Sequence, residues 1–201
     1  MKPEMITLKH GQSTIKMPAS ALAQLAMASV FAQVLPPANT APVSPVPSAV
    51  PAVGTEWPGQ GGINGGLVAA RGDVPAHYLI VAAKDVGKHA WGGREKESKA
   101  TSKTDGLANA LALIEEGGHP AAVAAQEHQA EGHADFYLPA AAELYHYWLT
   151  CPEVFAKDTW YWSSSQRSAY GAFGMYFDVG SQYYYDKGDE LRVRPVRRLF
   201  I

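Results

Sequence analysis

The 201-residue chain has one cysteine, Cys151. A disulfide within the chain is therefore excluded, and so is any site that needs a pair of cysteines, whether for metal or for redox chemistry. Charge is also scarce. Only 18% of residues are Asp, Glu, Lys or Arg, and 17 basic residues against 19 acidic give a net charge of −2. That balance excludes electrostatics as the main means of holding nucleic acid or an acidic membrane, so no nucleic-acid partner is expected. No apolar run approaches the roughly 18 residues needed to cross a bilayer, so no membrane span is expected. Neither heptads nor collagen repeats occur. With 47% apolar residues, a self-sufficient core is possible for one ordinary domain and an appendage.

The charges that exist are unevenly placed. Met17 to Thr55 contains none, and within it Pro36 to Pro51 holds six prolines in sixteen residues. Proline fixes φ and removes a donor, so residues 36–55 read as an extended, semi-rigid linker. It separates a head, 1–35, from a body, 56–201. In the head, Ile6 and Leu8 alternate with Thr7 and Lys9, and Ile15 and Met17 alternate with Thr14 and Lys16, about a turn at His10-Gly11-Gln12. That pattern predicts a β-hairpin. Pro18 stands where a first helical residue belongs, followed by the Ala-rich run Ala19–Leu35. The alternative is a secretory signal with cleavage near Ala32; Gln24 and Gln33 and the patterned leader speak against it. Thirty-five residues are too few for an independent core, so the head is expected to dock on a partner or on copies of itself.

In the body, Leu67–Ala70 and Tyr78–Ala83 suit buried strands. Helices are expected from a Thr104 or Asp105 cap to about Glu116, from Pro120 to about Ala130, and from Ala140 to Leu149. Four strands follow: Trp160–Ser164, Ala172–Asp178, Gln182–Asp186 and Leu191–Val196. Helices in the middle and strands at the end predict an α+β fold with two to three helices and a C-terminal antiparallel sheet.

Several stretches carry a family pattern. Trp57-Pro58-Gly59-Gln60-Gly61-Gly62-Ile63 opens the body, and Tyr78–Ala83 and Trp91 follow. Then come Asp135-Phe136-Tyr137-Leu138-Pro139 with Glu143-Leu144, Tyr161-Trp162-Ser163-Ser164-Ser165, and Ala172-Phe173 with Phe177. Gly180, Gln182 and Lys187 precede Arg192-Val193-Arg194-Pro195-Val196-Arg197. In this order and spacing, residues 56–201 resemble the Lcl C-terminal domain family. The resemblance implies a C-type-lectin-like fold without enzymatic activity, as in bacterial surface proteins and phage adhesins. It is also similar to the variable ligand-binding proteins of diversity-generating retroelements, whose terminal strands display hypervariable residues. It implies a host-surface protein or glycan receptor as partner and a virion location, on tail or capsid. The alternatives are a secreted bacterial surface lectin and a structural virion decoration protein.

Two-residue alternation places Phe173, Met175 and Phe177 on one face of their strand, as core, and Gly174, Tyr176 and Asp178 on the other. The candidate ligand surface comprises Arg167, Ser168, Tyr170, Gly174, Tyr176, Asp178, Ser181, Tyr183, Tyr185 and Asp186. Tyrosine with Ser, Gly and Asp is the composition of a paratope: large amphipathic contact area for few torsions, among adaptable polar groups. The competing explanation is that these tyrosines pack the sheet. Tyr184 is expected to turn inward between Tyr183 and Tyr185. Trp162 is expected in the core with Phe177 and Leu138.

No other constellation carries chemistry. Arg192 and Arg194 share a face and are expected to pair with Asp135 or Glu143. His119, His128 and His133 lack zinc spacing. Neither Glu-Pro-Asn nor Gln-Pro-Asp, the calcium-type sugar loops, occurs. No cofactor, metal or catalytic residue is expected. Arg71-Gly72-Asp73 reads as a turn.

Overall fold

The computed structural model describes residues 5–10, 13–20, 50–72 and 74–201. The chain divides into two compact units, Met1–Pro45 and Val46–Ile201, each described by itself.

In the first unit, β1 (Met5–His10) and β2 (Ser13–Pro18) pair antiparallel, with Met5 opposite Pro18 and His10 opposite Ser13. The register sets Ile6 against Met17 and Leu8 against Ile15, as the alternation requires. Pro18 closes β2 instead of opening a helix, and helical geometry begins at residue 19. The rest of the expected helix, residues 21–35, and most of the Pro-rich linker lie outside the described residues.

The second unit is a mixed α+β fold. One sheet has the order β11-β5-β4-β3, built from β3 (Glu56–Trp57), β4 (Gly62–Val68), β5 (His77–Val81) and β11 (Val196–Phe200). The other has the order β6-β10-β7-β8-β9, from β6 (Lys88–Ala90), β7 (Trp160–Gln166), β8 (Gly171–Tyr176), β9 (Ser181–Asp186) and β10 (Glu190–Arg192). The expected last strand is two strands. Val193-Arg194-Pro195 interrupts it, and Pro195 has no N–H for a ladder, so β10 and β11 enter different sheets. The expected antiparallel sheet is also mixed, because β10 runs parallel to β7. β3 and β6 are too short to carry a periodic signal.

Three helices lie between the strands: α1 (Gly106–Glu116), α2 (Pro120–Gln126) and α3 (Ala141–Thr150). Asp105 caps α1, its carboxylate accepting from Ala108 N at 3.1 Å. At the start of α3, Glu143 accepts from Ala140 N at 2.8 Å. Arg71 and Val74 exchange two backbone hydrogen bonds, closing a turn around Gly72, which has φ +57°. Asp73 lies outside the described residues.

The five-stranded sheet has a core on each face. Tyr161, Met175 and Phe177 pack with Leu79, Val81, Leu144, Tyr147 and Phe155. Trp162 and Ala172 pack with Trp91, Leu113, Ala121, Leu138 and Val193. Trp162 is fully buried with Leu138, as expected, but Phe177 belongs to the opposite face, stacked on Phe155 at 3.9 Å. The arginines near the C-terminus are structural, although Arg192 and Arg194 do not take the partners expected. Both bind Asp85, at 2.8 and 2.9 Å. Asp135 pairs with Arg197 at 2.7 Å, and Glu143 with Arg198 at 2.8 Å. Because β11 belongs to the other sheet, Arg197 and Arg198 reach the carboxylates that Arg192 and Arg194 cannot.

Candidate functional site

Register places the site. Trp160 lies opposite Tyr176 and Trp162 opposite Gly174 across β7–β8. Across β8–β9, Gly174 faces Tyr183, Ala172 faces Tyr185, and Tyr176 faces Ser181. Directly opposed residues share a sheet face. Trp160, Gly174, Tyr176, Ser181, Tyr183 and Tyr185 therefore lie on one side. The ring centroids of Trp160 lie 5.3 Å from Tyr176 and 4.9 Å from Tyr185, and Tyr183 lies 6.0 Å from Tyr185. These rings form a continuous aromatic platform from β7 to the sheet edge.

Exposure grades across it. Tyr183 is 55% exposed, Trp160, Tyr176 and Tyr185 are half-buried, and Trp162 is closed off as core. Tyr176, expected to stand free, leans on Trp160. Gly174 is buried and offers no ligand contact: a Cβ there would meet Leu191 Cδ1 and Tyr161 O at 3.2 Å. Its role is to let the neighbouring side chains close over the strand. Burial raises the Tyr185 hydroxyl pKa, and the hydrogen bond to Tyr184 raises that of Tyr183. Tyr183 and Tyr185 are therefore uncharged at neutral pH, with polar tips on apolar rings.

The remaining sequence-predicted residues do not join the platform. Ser168 is half-buried, and its hydroxyl accepts from Tyr170 N at 3.3 Å and Gly171 N at 3.2 Å, closing the β7–β8 turn. Tyr170 is exposed beside that turn, under the Arg94 guanidinium at 5.4 Å. Asp186 is held by Gly188 N at 2.8 Å and by Arg94 Nε at 3.0 Å, which keeps its carboxyl below the usual range. Arg167 lies over Tyr184, at 5.7 Å. Asp178 is exposed in the β8–β9 turn.

Tyr184 does not turn inward. It is 47% exposed and stacks on Tyr183 at 4.7 Å. β9 ends the sheet, and the N-terminus of α3 reaches only as far as Gln182, whose amide donates to Ala141 O at 2.6 Å. Phe173, expected as core, is half-buried with the Lys103 ammonium 4.0 Å above its ring.

Sequence reasoning missed Trp160 and Arg94. Trp160 was detectable: it shares alternation with Trp162 and lies opposite Tyr176. Arg94 was not, because 92 residues separate it from Asp186. Its loop is held by the buried Lys187, whose ammonium donates to Lys96 O at 2.8 Å and Gln166 Oε1 at 2.7 Å beneath Trp91.

No group of three or more His, Cys, Asp or Glu among the described residues is placed to hold a metal ion. His119 binds Trp91 O at 3.1 Å, His133 binds Gly59 O at 3.0 Å, and His128 packs edge-on against Phe136. Cys151 is buried, which pushes its thiol pKa up. No described helix is long and apolar enough to cross a membrane. Comparison with protein-family models and with curated proteins gives no match.

Proposed function

We propose that this protein is a non-enzymatic binding protein that captures a host-surface receptor on the β7–β8–β9 platform. The observation that carries the proposal is the row Trp160, Tyr176, Tyr185 and Tyr183, with ring spacings of 4.9 to 6.0 Å on one partly open sheet face. Aromatic rings with polar tips supply most of the affinity at protein interfaces while losing little side-chain entropy. The platform is rigid, since it stands on a buried Trp162 and a bonded sheet, so little order must be imposed on binding.

We further propose a C-type-lectin-like fold for the body. Three helices, a predominantly antiparallel strand pairing, and a sheet that joins the first strands of the body to β11 support it. A phage virion is the proposed setting, with residues 1–35 as the attachment segment. A two-stranded hairpin such as β1–β2 is marginal by itself and gains stability by docking on a larger assembly.

The test is direct. The full-length chain is immobilised and challenged with bacterial cells, envelope proteins and glycans. The triple variant Trp160→Ala/Tyr176→Ala/Tyr183→Ala is expected to lose the binding that the parent shows. Binding left intact in that variant would overturn the assignment of the site.

A further inference from the structure

The four rings of the platform do not lie in one plane. Tyr176 is tilted 38° and Tyr185 57° to Trp160, and Tyr183 stands at 78° to Tyr185. Neighbouring rings therefore bound clefts along the row instead of making one flat shelf. From Trp160 the row reaches Tyr183 through Tyr185, in steps of 4.9 and 6.0 Å. Its polar atoms are open and rich in donors. Trp91 and Trp162 commit their indole N–H groups to Ser163 O and His89 O, each at 2.9 Å. Trp160 Nε1 and the hydroxyls of Tyr176 and Tyr185 bond to none of the described residues, and none of the three is sealed from solvent. An indole N–H can only donate. No ionic side chain belongs to the row, and beside it Arg94 and Asp186 neutralise each other at 3.0 Å.

We propose that the receptor feature held by the platform is an uncharged, proline-rich protein segment in the polyproline II conformation. The inference rests on the reading of the platform as the binding site and names what that site takes. Charge selects the occupant first, since an uncharged segment matches a row without ionic side chains. Hydrogen bonding selects it next. Polyproline II makes no internal hydrogen bonds, so its carbonyls are free to accept, and proline brings no N–H of its own. Such a segment supplies acceptors to Trp160 Nε1 and the tyrosine hydroxyls and adds few donors. Geometry agrees. Polyproline II has three residues per turn and rises about 3.1 Å per residue, so prolines three apart recur on one side at about 9 Å. That interval is close to the path from Trp160 to Tyr183. A pyrrolidine ring is short and thick and enters a cleft between tilted rings, whereas a pyranose lies flat on a ring and brings donors as well as acceptors. A stiff ligand on a rigid row also loses little conformational freedom on binding.

Titration calorimetry of the full-length chain tests it. The probe is an oligoproline of about ten residues, blocked at both ends, which presents roughly three turns. It is expected to bind, and a blocked Gly-Ser peptide of the same length to bind roughly tenfold more weakly or worse. Tyr183→Ala, which removes an exposed ring, should weaken oligoproline binding about tenfold. Tyr185→Phe, which removes only a hydroxyl, should weaken it about fivefold. Both variants should keep the parent's melting temperature. A chitin oligosaccharide should not compete. Oligoproline that fails to bind, that binds no better than the Gly-Ser peptide, or that binds Tyr183→Ala as well as the parent overturns the inference. So does displacement of oligoproline by the chitin oligosaccharide. Any of these together with loss of receptor binding in the triple variant leaves the platform as the site and rejects only this ligand class. Receptor binding retained by the triple variant rejects the site itself.

Discussion

Tyr161, Met175 and Phe177 are sealed beneath α3 and Phe155, whereas Trp160, Tyr176 and Tyr183, one residue away on the same strands or their neighbour, are half-buried or exposed. Both faces are rich in aromatic residues, so hydrophobicity does not distinguish them. Cover does. α3 spans one face as far as Gln182. On the other, Trp91, Leu138 and Val193 cover Trp162 and Ala172 and stop short of Trp160. An aromatic residue under a helix is core, and the same residue beyond the cover is available to a partner.

Four predictions would break or sharpen that contrast. The largest effect is expected at the covered positions. Trp162→Ala and Phe177→Ala, one for each face, should each cost about 3–5 kcal/mol. For a chain of this size that corresponds to a fall in melting temperature of roughly 10 °C. Scanning calorimetry decides it, and a neutral result at Trp162 would place that residue outside the core. Next comes Arg198→Met, which leaves the Glu143 carboxylate buried without its cation. Burial already raises the Glu143 pKa, with Arg198 opposing. Removing one partner of a buried pair costs about 3 kcal/mol or more. Adding Glu143→Gln to Arg198→Met should recover part of the loss in urea denaturation, since no buried charge then remains. A double variant less stable than Arg198→Met would show that the carboxylate does not depend on Arg198.

The uncovered positions should behave in the opposite way. Tyr183→Ala should change stability by under about 0.5 kcal/mol and weaken receptor binding by about 1–2 kcal/mol. Trp160→Ala and Tyr176→Ala should fall between the two classes, because each ring covers the other at 5.3 Å. Paired melting and binding titrations separate the cases: equal losses in both would make the platform core.

The smallest effect concerns pH. Burial lowers the pKa of His119, His128 and His146 below the ordinary value of 6.5. A base with a depressed folded-state pKa is protonated first in the unfolded chain, so stability is complete above 6.5 and declines as pH falls from there toward the folded-state values. Melting temperature should therefore drop modestly between pH 7.5 and 5.5. His119→Gln should flatten the slope, and a melting temperature that rises on acidification would contradict the assignment.

The sequence by itself determined the local elements. Alternation at Ile6–Lys9 and Thr14–Met17 specifies the hairpin, Asp105 and Gly117 bound α1, and the period-2 runs of β7, β8 and β9 are each legible, because these features depend on neighbours within a few residues. Three of the four rings of the aromatic platform were legible for the same reason: Tyr176, Tyr183 and Tyr185 follow from alternation alone. Tertiary structure decided the rest. Whether an outward-pointing residue meets solvent or another layer depends on groups distant in the chain. Gly174 is buried by Leu191, Asp186 is held by Arg94, and Phe173 lies under Lys103, all beyond the range of local pattern. The choice of Asp85 as partner of Arg192 and Arg194 followed from the assignment of β10 and β11 to different sheets, with Pro195 between them. The exposure of Tyr184 likewise followed from the position of β9 at the end of its sheet, where, among the described residues, no further strand or helix covers its second face. A strand's sequence encodes which residues share a face; only the packing of the whole chain sets what each face meets.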